Sequence, residues 1–180
     1  KKESDVRGSA VWTKIASACV MVALVSVLVF QNGETVNGIR TKGSDAYILL
    51  YKKTGIESVQ LYDKTVAHKG DRIQIQYYSP KNRYGVIVSI DGNNTITTHF
   101  PVESAMAEAL VSGNKEFLKY SYELDDAPTM ERFYFITAES PFSVEELRSL
   151  LLESAQEGEH LKSLKISYDQ FIITLIKESY

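Results

Sequence analysis

Tyr84-Gly85-Val86-Ile87-Val88-Ser89-Ile90, followed by Asp91-Gly92-Asn93-Asn94 and Thr95-Ile96-Thr97-Thr98-His99-Phe100, is the stretch whose reading decides the fold. The first segment is apolar at nearly every position and rich in β-branched residues, the pattern of a strand running through the middle of a sheet. The Asp-Gly-Asn-Asn segment supplies turn chemistry, and the second run returns as its hairpin partner.

Working outward, Arg72-Ile73-Gln74-Ile75-Gln76-Tyr77 alternates with a period of two, which predicts a half-buried strand. Further strands are expected over Ala46–Lys52, Ser58–Tyr62, Phe117–Tyr122, Glu131–Thr137 and Gln170–Lys177. Such a series implies a mainly β chain folded as an antiparallel two-sheet sandwich, immunoglobulin-like or related. One helix is expected over Ser143–Glu157, where Ser143-Val144-Glu145-Glu146 forms a capping box and Leu147, Leu150, Leu151 and Ala155 make an apolar stripe. A weaker helical pattern, Val102, Ala105, Met106, Ala109 and Leu110, ends at Gly113 and is also compatible with a loop.

Before this region lies Ile15–Phe30, IASACVMVALVSVLVF, which carries no charge. Val11 and Trp12 extend the apolar stretch to about 20 residues, enough at about 1.5 Å per residue to cross a hydrocarbon core of about 30 Å. A single transmembrane helix preceding the β domain is therefore expected over 11–31, with 1–10 a basic flank. Ahead of Ile15 stand Lys1, Lys2, Arg7 and Lys14 against Glu3 and Asp5, which places that flank in the cytoplasm and the bulk of the chain outside. A cleaved signal peptide would need small residues where VLVFQ carries bulky ones. A lipoprotein would put the apolar stretch before Cys19 instead of after it, and a core helix would show a polar stripe. Residues 32–44 read as a polar, glycine-rich juxtamembrane linker, and 45–180 as the extracytoplasmic domain. The opening on Lys1 points to a longer parent or a processed product.

From Gly33 onward acids outnumber bases 21 to 16, so the domain lacks the positive excess that nucleic-acid binding requires. Cys19 is the single cysteine, which excludes a disulfide framework and a cysteine metal site. His68, His99 and His160 show no metal-ligand spacing, and the alternation around His99 puts it on the outward face with Thr95 and Thr97. Asp91-Gly92-Asn93-Asn94 clusters oxygen donors, but Ile96 and Phe100 stand where a calcium loop continues with ligands. Asn93-Asn94-Thr95 is a formal glycosylation sequon within the same hairpin turn. Glu123, Asp125 and Asp126 invite a carboxylate-pair hydrolase reading, against which stands a polar corner between strands. No nucleophile elbow, phosphate loop or dinucleotide fingerprint occurs, and no catalytic residue, metal or cofactor is expected.

Tyrosine is the unusual resource, with eleven in the chain. Tyr77, Tyr78, Tyr120, Tyr122 and Tyr134 are the candidate partner-binding residues, because a phenol on a sheet offers apolar area with a polar tip. Core packing is the competing use of the same side chains.

The segment order, an apolar span followed by GIRTKGSDAYILLYKK, GDRIQIQYYS, YGVIVSIDGNNTITTHFP and YELDDAPTMERFYFITAESPF, resembles the extracytoplasmic region of bacterial membrane-anchored anti-sigma-factor-like proteins. The resemblance covers roughly Ile39 to Phe142 and fades beyond. It implies a β-rich outer domain that binds or senses an envelope protein or peptide, in the inner membrane, with a sigma factor held only by a segment upstream of this chain. It transfers no catalytic residue. Beside it stand a structural envelope scaffold without signalling and, further off, the carboxylate-dependent hydrolase.

Overall fold

The computed structural model describes residues 36–40, 45–156 and 163–178. The apolar stretch 11–31, its basic flank and His160 lie outside the described residues. Among those described, no helix is long and apolar enough to cross a membrane.

The described chain is mainly β, with two sheets and one helix. In chain order the strands are β1 (Ile39–Arg40), β2 (Tyr47–Thr54), β3 (Glu57–Leu61), β4 (Val66–Ala67), β5 (Arg72–Tyr78), β6 (Tyr84–Asp91), β7 (Ile96–Phe100), β8 (Glu108–Ala109), β9 (Lys115–Phe117), β10 (Tyr122–Glu123), β11 (Thr129–Ala138) and β12 (Asp169–Lys177). The helix α1 spans Val144–Gln156. The larger sheet runs β1-β12-β11-β6-β7, with β4 beside β12 and β8 beside β6. The smaller runs β10-β5-β2-β3, with β9 beside β5. All pairings are antiparallel except that of β4 with β12.

Alternation along β11 and its neighbours sorts the side chains into two cores. Phe133, Phe135, Ile87, Phe171, Ile173 and Leu175 point from the large sheet to meet Ile48, Leu50, Ile73 and Ile75 of the small one. The opposite parity, Val86, Val88, Ile90, Tyr134, Ile136 and Ile172, faces Val144, Leu147, Leu151 and Ala155 of α1. The large sheet is thus buried on both faces, which is why β6 and β11 read as near-continuous apolar runs.

Several local expectations are corrected. Phe117–Tyr122 is not one strand: β9 and β10 both pair with β5, and the chain bends away between them. Of the two readings of Val102–Leu110 the loop holds and the helix does not: the segment adds only β8 to the large sheet. Leu150 leaves the apolar stripe and is 40 % exposed, while Leu147 and Leu151 carry the packing. His99, expected outside, turns inward. A bulge opens in the β6–β7 register, where Val88 pairs with Thr98 but Ile87 pairs with Phe100. Thr97, opposite Ser89, and His99 share the inner face by plain alternation, because the face read as outward is the one turned to the small sheet, and the extra residue brings Phe100 to that face too. Ile39 and Arg40, within the stretch read as a linker, pair with Ile172 and Phe171.

Candidate functional site

The bulge in β7 positions the edge of an open mouth between the two sheets. After Phe100 the chain leaves the large sheet through Pro101 and Val102, while β9 and the Leu118-Lys119-Tyr120 bend close over from the small sheet. The space between them is about 530 Å³. Tyr77, His99 and Phe100 form its floor, and Val102, Phe117 and Tyr120 its apolar rim. Phe117 is 57 % and Tyr120 61 % exposed, a large aromatic surface left open to water. Glu103, Glu108 and Glu116 line the same opening, where Lys119 is the one cation among the described lining residues and its ammonium lies 5.1 Å from the Tyr120 ring centroid. The mouth therefore has a negative field around an aromatic centre.

Behind the floor lies a buried polar chain. The His99 imidazole stacks on Phe133 at 5.5 Å and meets the edge of Tyr122 at 4.8 Å. Burial pushes its pKa down to about 4, so it is neutral at physiological pH. Its Nε2 lies 2.9 Å from the Ser89 hydroxyl, which also hydrogen-bonds the Glu131 carboxyl. Glu131 is 1 % exposed, and burial pushes its pKa up to about 7. Among the described residues its Oε2 has no hydrogen-bond partner, and it lies 3.9 Å from the Lys177 ammonium, which is held at 2.6 Å by Asp125. Tyr122 hydrogen-bonds Thr97, and burial raises its phenol pKa.

Serine, histidine and glutamate meet here, but in an order that does not activate a nucleophile. A catalytic triad places the acid on the far nitrogen of the imidazole, so that the imidazole takes the serine proton. Here the acid touches the serine itself, and Ser89 is completely buried. A Ser89 hydroxyl that donates to Glu131 offers its lone pair to Nε2–H of His99. The chain can hold a proton; it does not present an alkoxide to a substrate.

The acids of the Glu123–Asp126 corner diverge. Glu123 pairs with Arg72 at 3.1 Å, Asp125 with Lys177, and Asp126 with Lys69 at 2.9 Å. The hydrogen bond from Lys177 lowers the Asp125 pKa, and that from Lys69 lowers the Asp126 pKa. A general acid requires a carboxyl raised above its partner, which neither supplies. Asp91 accepts the backbone N–H groups of Asn93 and Thr95, both at 2.8 Å, and so closes the hairpin turn. Among the described residues no group of three or more His, Cys, Asp or Glu is placed to hold a metal ion.

The five candidate tyrosines are spread over several surfaces. Tyr77 and Tyr120 share the mouth, where the Tyr77 hydroxyl accepts the Val111 N–H at 3.2 Å. Tyr122 packs beside His99. Tyr78 stacks on Tyr47 at 5.1 Å, and Tyr134 is buried on the helix side of the large sheet. Glu131 and Lys177 escaped the sequence reading, although a signal exists: each has the parity of its strand's core residues, Phe133 and Phe135 or Ile173 and Leu175. A charge in an apolar phase marks a buried polar contact.

No protein-family model matches this chain, and neither a curated protein nor a solved structure matches it.

Proposed function

We propose that the domain is a non-catalytic binding module whose receptor surface is the mouth, and that it takes an extended basic peptide segment of an envelope protein. The supporting observation is the pairing of exposed Phe117 and Tyr120 with three surrounding glutamates and a single lysine. Aromatic rings supply contact area at low entropic cost, and the glutamates select cationic side chains. The same charges repel anionic lipid headgroups. In this reading the apolar stretch 11–31 tethers the module to the bacterial inner membrane with its bulk outside, as the outer part of an anti-sigma-factor-like regulator. The uncharged length of that stretch and its basic flank support the tether.

The test is peptide binding to the full chain, with lysine-rich and glutamate-rich peptides of equal aromatic content. Lysine-rich peptides should bind with an affinity that falls as salt rises, and Phe117→Ala with Tyr120→Ala should abolish binding without lowering the thermal midpoint. Equal binding of both peptide classes, or none, sinks the mouth as the receptor surface. Protease added to intact spheroplasts should digest the domain; protection until lysis would overturn the tethered topology.

A further inference from the structure

Arg132 lies in β11 on the helix side of the large sheet, across that sheet from the buried glutamate. It is 3 % exposed. Its Nε donates to the Thr174 hydroxyl at 2.9 Å, and the guanidinium also hydrogen-bonds Tyr134. Its Nη1 is buried and has no hydrogen-bond partner among the described residues. Among the described residues Arg132 forms no ion pair, whereas Arg83 holds Asp169 and Lys177 holds Asp125. A guanidinium cannot shed its proton to escape burial, so an unpaired one is a standing electrostatic cost that an anion would remove.

The residue lines a cavity of about 310 Å³. Thr174 and Asn94 bring polar groups to it, while Met130 and Ile176 supply apolar wall. Asn94 and Thr129 flank it with φ of 62° and 66°, a backbone region that a β-branched threonine rarely occupies. Strain of this kind collects at ligand clamps.

We propose that this cavity binds a small monocarboxylate with a short apolar tail. The planar guanidinium fork matches a carboxylate, and a single cation suits a monoanion better than a phosphate dianion. The volume is that of a small-molecule site, and Met130 and Ile176 would cover hydrocarbon. A free short-chain acid and the carboxyl end of a peptide share this chemistry. The site lies apart from the mouth and does not depend on what the mouth binds.

Calorimetric titration of the full chain tests it with four probes: hexanoate, hexanamide, N-acetyl-leucine and inorganic phosphate. Saturable binding of hexanoate, with hexanamide weaker by at least about tenfold, is the expected result, because a charge-assisted hydrogen bond is lost. Preference for N-acetyl-leucine over hexanoate assigns the site to peptide carboxyl ends, and the reverse to free acids. Arg132→Met should abolish binding and fold with a midpoint no lower than the parent, since it removes an unpaired buried charge. Ile176→Trp, which fills the cavity from the neighbouring strand β12, should abolish binding with Arg132 intact. Absence of carboxylate binding at millimolar concentration overturns the proposal, as do equal affinity for hexanamide, tighter binding of phosphate, or unchanged binding by Arg132→Met.

Discussion

The His99 imidazole and the Ser89 hydroxyl are 2.9 Å apart across the β6–β7 ladder, and through that contact two buried groups with opposite pH responses meet. His99 has an ordinary pKa of 6.5 and a folded value of about 4. Its stabilising contribution is complete above 6.5 and declines as pH falls toward 4. Glu131 has an ordinary pKa of 4.5 and a folded value of about 7, so its contribution is complete below 4.5 and declines as pH rises through 7. Asp91, Asp125 and Lys177 are the charged neighbours, with the Tyr122 phenol nearby, and the lowered Asp125 acts only at more acid pH. Between about 4.5 and 6.5 the two slopes cancel, which predicts a nearly flat thermal midpoint. Glu131→Gln should give a midpoint that climbs with pH over this window, and His99→Phe one that descends. Unfolding curves at a series of pH values check it; three parallel profiles would show that neither group titrates as its surroundings require.

Gly92 faces the Pro128 carbonyl so closely that an added Cβ would lie 1.8 Å from its oxygen. Gly92→Ala must displace the entry to β11, and a loss of about 1–3 kcal/mol is expected from urea denaturation. Gly55, with φ of 62° and open space around it, should tolerate asparagine with little loss.

The two faces of α1 should separate in a truncation series. Leu147→Ala removes a fully buried side chain and should cost about 2–5 kcal/mol, whereas Leu150→Ala should stay within about 0.5 kcal/mol. The Ser143 hydroxyl accepts the Glu146 N–H at 3.2 Å, so Ser143→Ala should cost about 1 kcal/mol. Equal losses at Leu147 and Leu150 would contradict the observed rotation of the helix.

The corner acids should also part company. Asp125→Asn weakens the partner of a buried lysine, and a loss of about 1 kcal/mol is expected because the carboxylate is half open to solvent. Asp126→Asn should leave the midpoint unchanged. Any catalytic assay in which both substitutions abolish turnover while stability holds would revive the hydrolase reading.

Much of the architecture was legible because alternation and turn chemistry are local. The β6–β7 hairpin, β5, β11, β12 and the capped helix all occur where period, β-branching and capping residues put them. The β9–β10 break was hidden, since Phe117–Tyr122 is as apolar as a strand and only its pairing with β5 shows the bend. The tyrosines likewise announced aromatic area without saying which face each would take.

Residue type and period alone determined that this region is mainly β, that one amphipathic helix follows β11, and that no familiar catalytic motif is present. Tertiary structure alone decided that the face shared by Thr97 and His99 is the inner one, that Glu131 and Lys177 meet inside the sandwich, and that Arg132 is buried without an acid among the described residues. The reason is physical: alternation fixes which side of its own strand a residue takes, whereas the dielectric and the partner it finds depend on segments brought together from far along the chain.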